Sequence, residues 1–121
     1  MIDHLALYVT DLEGSRRFYE QALAPLGYEV VMETEGFVAL GSQGELHFAL
    51  RTGKEASTTA HFAFRADDRP TVDAFHAAAL GAGGTDAGEP GIREHYHENY
   101  YAAFVEDPDG NNAEAVCHKP V

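Results

Sequence analysis

The sequence has one cysteine in 121 residues, Cys117, so no internal disulfide can form. It is also short of positive charge: eight Lys and Arg stand against 20 Asp and Glu, for a formal net charge of -12. A surface this acidic repels phosphate backbones and anionic lipid, which excludes nucleic acid and membrane surfaces as favoured partners. No apolar run approaches the roughly 18 residues needed to span a bilayer. The N-terminal "MIDHLALYV" has neither the basic start nor the long apolar stretch of a secretory signal. With a single thiol, these features make a reducing cytoplasm the expected compartment. Cys117 itself reads as a small buried strand residue, not as a nucleophile. No segment reads as a linker between independent domains.

What is present is a repeat. "DHLALYVTD" at residues 3–11 returns as "AHFAFRADD" at residues 60–68, an offset of 57. The same offset carries Phe18 onto Phe75, Ala22 onto Ala79, Leu23 onto Leu80 and Gly27 onto Gly84. Identity at a fixed spacing over about 25 positions marks a duplicated structural unit. With 45% hydrophobic and 23% charged residues the chain is globular in composition, and its length suits one domain. The two copies are therefore halves of that domain: a first module over residues 1–52, a hinge over 53–59 and a second module over 60–121.

In the first copy, "HLALYV" alternates Leu5, Leu7 and Val9 on one face with His4, Ala6 and Tyr8 on the other, a strand with an apolar back. A helix follows, capped by Asp11, lined by Phe18, Tyr19, Ala22, Leu23 and Leu26, and ended by Pro25 and Gly27. "YEVVME", "FVALG" and "ELHFALR" supply three short strands. The second copy repeats the order with "HFAFRA", a helix from about Pro70 to Ala82, and strands in "IREHYH", "YYAAFVED" and "NNAEAVCH". The last two are joined by the tight turn "DPDG". The Gly-rich "GAGGTDAGEPG" reads as a loop containing a short strand. The predicted class is α+β, built of two tandem βαβββ modules.

Strand alternation sends His4 and, by the repeat, His61 to the face opposite the helices. On the closing strand of the second copy, Ala113 and Ala115 suit helix packing, which leaves Glu114 on the side of the histidines. On the closing strand of the first copy, Leu46, Phe48 and Leu50 form the apolar back, so Glu45 and His47 face the same way as His4. Imidazoles with a carboxylate are the donors of a divalent first-row metal. His95 and His97 have strand-alternate spacing, and they read either as a loop pair or as a second reach toward the site. Tyr100 and Tyr101 lie on opposite faces, one in the core and one lining the site. Arg51, Arg65 and Arg93 are candidate anion binders.

Three stretches carry a resemblance to the vicinal oxygen chelate superfamily: "IDHLALYVTDLEGSRRFYEQALAPLGY", "HFAFRADD" and "FVEDPDGNNAEAV". That group includes glyoxalase I, fosfomycin resistance enzymes, extradiol dioxygenases, methylmalonyl-CoA epimerase and bleomycin resistance proteins. The resemblance implies curled mixed sheets forming a cup around a metal, in which His4, His61 and Glu114 stand at ligand positions. The fourth position stays open: matching "HFAL" to "EAV" puts His47 there, and matching "ELHF" to a Glu-Leu strand puts Glu45 there.

The function this implies is a small glyoxalase-like metalloenzyme, with zinc, nickel, manganese or iron chelating adjacent oxygens of a small-molecule substrate in lyase, isomerase or transferase chemistry. Glu114, Glu45 and Tyr101 are the candidates for moving a proton. An extradiol-type iron dioxygenase is the second reading, and a metal-free small-molecule binder like the bleomycin resistance proteins is the third. Members with two modules commonly pair, so a homodimer is expected, with the ligands either within one chain or shared between two.

Overall fold

In the computed structural model, which describes residues 1–121, the first copy forms strand β1 (Leu5–Tyr8), helix α1 (Leu12–Leu23), β2 (Glu29–Thr34), β3 (Phe37–Ser42) and β4 (Glu45–Arg51). The second forms β5 (His61–Arg65), α2 (Arg69–Gly81), β6 (Thr85–Ile92), β7 (Tyr101–Glu106) and β8 (Asn112–Cys117). Two four-stranded mixed sheets result, ordered β1-β4-β3-β2 and β5-β8-β7-β6. In each, the first strand lies parallel to the last and the other pairs are antiparallel. The duplication read from the sequence thus extends to topology.

The repeat also preserves the helix starts. Asp11 accepts a hydrogen bond from the Gly14 backbone at 3.1 Å, and Asp68, its counterpart 57 residues on, accepts one from Thr71 at 2.8 Å. Each carboxylate satisfies a donor that the first helical turn would leave free, worth about 1 kcal/mol. Gly27 ends the first helical segment with φ of +86°, where a side chain would be strained.

One cluster of 19 buried residues takes Phe18, Tyr19 and Leu23 from α1, Val72, Phe75 and Ala79 from α2, and the helix-facing side chains of both sheets. Aromatic rings join the halves: Phe48 of β4 lies 5.3 Å from Phe62 and 5.5 Å from Phe64 of β5, and Tyr28 lies 5.8 Å from Phe64. Cys117 is buried in this core.

A polar knot reinforces the junction. Tyr19 of α1 donates from its hydroxyl to Asp107 at 2.5 Å, and Asp107 also accepts from the backbones of Asp109 and Asn111. The Asn111 side chain accepts from the Ser57 hydroxyl at 2.7 Å and the Ala60 backbone, and donates to the Ser57 carbonyl. The "DPDGNN" stretch is therefore more than a turn: it fastens the second sheet to α1 and to the connection between the copies. Burial, then the Asp107 charge, raises the Tyr19 hydroxyl well above its usual pKa.

Two expectations are corrected. Residues 93–100, including most of "IREHYH", form a loop, and the fourth strand of the second sheet lies earlier, in the Gly-rich stretch. Gly88 and Gly91 sit at register shifts against β7, and Pro90 falls on the sheet edge, where its missing N–H costs no ladder bond. In β4, Leu40 pairs with Phe48 and Gly41 with Leu46, so His47 is an inserted bulge residue and strict alternation fails there. Gly41 is required opposite it: a Cβ at this position would lie 1.7 Å from the Glu45 carbonyl oxygen.

Candidate functional site

The parallel pairing of β5 with β8 places His61 opposite Asn112 and Ala63 opposite Glu114, all on the face away from the helices. Glu114 is only 2% exposed, and its Oε1 lies 3.0 Å from Nε2 of His61. The Tyr100 hydroxyl donates to the other carboxylate oxygen. On the far side of the ring, His61 Nδ1 lies 3.1 Å from the backbone oxygen of Asn112 and 2.9 Å from its side-chain oxygen. A backbone carbonyl only accepts, so Nδ1 carries the hydrogen and Nε2 of a neutral ring presents its lone pair to the carboxylate. Two lone pairs this close need a proton or a cation between them. A separation of 3.0 Å is also that of two neighbouring ligands on one first-row ion with bonds of about 2.1 Å. The backbone contact at Nδ1 is the kind of outer-shell bond that fixes a ligating histidine.

The first half is looser. Leu5 pairs with Phe48, so His4 and His47 lie side by side at the open ends of β1 and β4. His4 holds Asp3 at 2.8 Å, and His47 packs edge-on to Tyr28 at 5.5 Å. Glu45, 78% exposed, stands 3.9 Å from His47. His4, His47 and His61 line one cleft between the halves, of about 530 Å³, floored by Phe48, Phe62 and Phe64. No three His, Cys, Asp or Glu side chains of one chain are close enough to hold a metal ion. His61 and Glu114 fit two adjacent positions of such an ion, and the remaining donors of the chain stand apart from them.

Register also settles which residue of β4 corresponds to Glu114. Ala63 pairs with Glu114, and Ala6, its counterpart 57 residues earlier, pairs with Ala49. By pairing, the counterpart of Glu114 is Ala49, buried and without a donor atom, and Glu45 and His47 stand earlier on the same strand. His47 instead corresponds to Asn112.

A profile of the glyoxalase/bleomycin resistance protein/dioxygenase superfamily matches residues 1–115. The chain belongs to this superfamily. It resembles a solved glyoxalase/bleomycin resistance protein from Albidiferax ferrireducens T118 at 32% identity and a TM-score of 0.85, over 99% of each chain. A glyoxalase/bleomycin resistance protein/dioxygenase family enzyme from Burkholderia phytofirmans PsJN is 18% identical with a TM-score of 0.75, over 97% of this chain and 98% of that one. The oxidase ChaP-H2 shares 23% identity and a TM-score of 0.68, over 99% and 94%. The last two likenesses concern the fold. No protein of curated function matches the sequence.

Within this glyoxalase-superfamily fold, the two tyrosines are sorted by β7. Tyr101 pairs with Cys117 on the core side and donates to Asp73 of α2 at 2.6 Å, under the Arg69 guanidinium at 5.1 Å. It is directed away from Glu114, and its hydroxyl is raised by the Asp73 bond first and burial second. Tyr100 is the tyrosine at the site. Burial, then the bond to Glu114, pushes its hydroxyl far above its usual pKa, so it stays a donor at neutral pH. The signal for it was parity: Tyr100, Ala102 and Phe104 are alternate residues, and Phe104 pairs with Glu114. His95 packs tilted against Tyr96 at 4.2 Å, and His97 and Tyr100 pack edge-on to His118, a ring cluster that meets the His61–Glu114 pair through Tyr100 alone. Arg51 lies over Tyr8 at 5.3 Å, whereas Arg93 lies over Phe104 at 5.4 Å, on the face that carries His61.

Proposed function

We propose that the protein is an iron-dependent oxygenase of the extradiol type acting on a small molecule with adjacent oxygens. One observation carries this reading: with Ala49 at the counterpart of Glu114, the donors left at matching positions are His4, His61 and Glu114. Two histidines and one carboxylate with open positions beside them are the donor set of non-haem ferrous oxygenases. A ferrous ion held there would supply coordination for two substrate oxygens and for dioxygen.

The chain's own residues have separable tasks. Tyr100 fixes Glu114 through one oxygen and leaves the other directed to His61. The Asn112 carbonyl fixes the His61 tautomer. Phe104, stacked on His61 at 6.2 Å, excludes water from one side. His47, in the cleft with His4, is the base placed to accept a proton from a substrate hydroxyl, and Glu45 is the exposed carboxylate that can pass it to solvent.

His4 joins the pair in a second copy of the chain. Supporting this is the outer edge of the first sheet, where Ile2 and Leu5 are exposed beside an unpaired β1, as β5 is unpaired on the second. A twofold dimer in which residues 1–52 of one chain face residues 60–121 of the other, with 53–59 as the connection, covers both edges and completes two sites. A glyoxalase-like lyase or isomerase is the second reading, favoured by His47 as a fourth donor next to His4.

The test uses tag-free protein loaded with ferrous iron without oxygen, then given catechols. Oxygen uptake is expected, and His4→Ala and His61→Ala each abolish it. When the two variants are co-expressed, mixed dimers regain one intact site, so iron and activity return to about one site in four. Silence on catechols with nickel or zinc retained favours the lyase reading, and retention of no metal leaves a binding protein. Failure of the mixed dimers to recover rejects the shared site.

A further inference from the structure

Arg93 is an arginine that shares a cavity with His61 and has no part in the proposed mechanism. In a chain of net charge -12, Arg16 and Arg17 sit against Glu33 and Glu13, but Arg93 has no carboxylate partner. The guanidinium's single hydrogen bond runs from Nη2 to the Glu89 carbonyl at 2.7 Å. The half-buried guanidinium lies over the Phe104 ring, the ring on which His61 also stacks.

The strand beneath is shaped to hold it. A Cβ on Gly88 would come within 2.8 Å of Phe104 Cδ1 and 3.3 Å of Nη2, and one on Gly91 within 3.0 Å of Nη1, so both glycines lie directly beneath the guanidinium and Gly88 also makes room for the ring it rests on. The "GEPG" stretch of β6 thus presents a side-chain-free surface at both positions facing the guanidinium. Arg93, His61, Phe104, Tyr96 and Asn112 line one cavity of about 320 Å³. A fixed, planar cation held on an aromatic face, with donors to spare and the candidate metal ligand in the same cavity, recognises a planar anion.

We propose that Arg93 anchors a carboxylate of the substrate, so that the substrate class is a small organic acid bearing the adjacent oxygens, not a neutral diol or a cation. This rests on the reading that His61, which reaches Glu114 on its other side at 3.0 Å, marks the reacting end of that cavity. Arg93 offsets the acidic field at the one place where an anion must enter, and it sets orientation: the carboxylate on Arg93, the oxygen pair toward His61. It is a specificity-determining residue and takes no part in proton movement.

The probes are 3,4-dihydroxybenzoate and benzoate, each against its own amide, titrated calorimetrically into chelator-treated protein under nitrogen. The acids are expected to bind at least about tenfold tighter than the amides. Arg93→Gln should erase that preference, and Arg93→Lys should keep a part of it, because a point charge replaces a fork. The amides should bind all three proteins alike, which shows that the cavity is intact in the variants. An acid that binds no tighter than its amide, including no binding of either, overturns the proposal, as does a preference that survives Arg93→Gln. The two readings separate cleanly. Oxygen uptake that is equal for acid and amide defeats the anchor and leaves the iron reading standing. An Arg93-dependent preference, shown by benzoate as well, without oxygen uptake on any diol keeps the anchor and defeats the iron reading.

Discussion

The two halves of the chain share a topology and differ in how firmly they hold their donors. In the second, Glu114 is buried, bonded on one oxygen by Tyr100 and set 3.0 Å from a histidine whose tautomer is fixed from behind. In the first, His4 is exposed, its only polar partner is the neighbouring Asp3, and Ala49 stands where the carboxylate would be. Duplication therefore copied the scaffold and left the chemistry unequal. One half is organised in advance, and the other presents His4 from a sheet edge with only Asp3 to hold it, which is what the proposed shared site requires of it.

Giving the first half what it lacks would have the largest effect. Ala49→Glu places a carboxylate at the counterpart of Glu114 in a buried position, and in metal-free protein an uncompensated charge there should cost about 3–5 kcal/mol by urea denaturation. Added nickel or zinc should restore much of that loss, since a fourth donor makes the site glyoxalase-like. No recovery with any divalent ion would show that the two positions are not equivalent.

Next comes the knot between the halves. Asp107→Ala leaves the Tyr19 hydroxyl and the backbone donors of Asp109 and Asn111 without their buried acceptor, so about 3 kcal/mol of stability should go. No residue of the β3–β4 hairpin in the first half plays this part, and substitutions of exposed Gln43 to Gly there should stay within about 0.5 kcal/mol. Equal losses at the two turns would erase the contrast.

The smallest of the three concerns Tyr100. Tyr100→Phe removes one bond to Glu114, with about 1.5 kcal/mol of stability and roughly tenfold in metal affinity expected to follow. Tyr100 and Tyr19 both have raised pKa values, so the stability they lend is complete below the unfolded tyrosine value near pH 10 and falls as pH rises beyond it. From its lower starting value, the stability of the Tyr100→Phe protein should fall less steeply above about pH 10 than that of the parent, followed by urea denaturation at a series of alkaline pH values. An unchanged alkaline slope would place the raised tyrosines outside the stability balance.

How much was legible follows from which rules held locally. The repeat exposed the modules, because residues that pack on a helix or cap it recur with the unit. Parity along short strands placed His61 and Glu114 on one face, because β5 and β8 alternate without interruption. The same rule is interrupted at His47, where the bulge adds a residue that no composition announces, so the pairing that sets Ala49 opposite Ala6 could not be counted along the strand from the sequence. β6 was legible only as a short strand within a loop, because glycines at its register shifts give it little strand propensity. Tyr100 and Tyr101 could be assigned to opposite faces from the sequence, but which faced the site depended on β7 pairing with β8, a long-range fact. The "DPDG" turn was read by its local geometry, while its Asp107 owes its burial to a helix 88 residues earlier.

The joint core has a consequence for how such a chain can come apart. A tandem duplication would ordinarily be free to melt as two units, each at its own temperature. Here Phe48 is packed by rings from the second copy, and Tyr19 carries its hydroxyl into the second copy's closing turn, so neither half keeps an interior once the other is gone. Melting should be a single all-or-none event, with calorimetric and van't Hoff enthalpies in agreement.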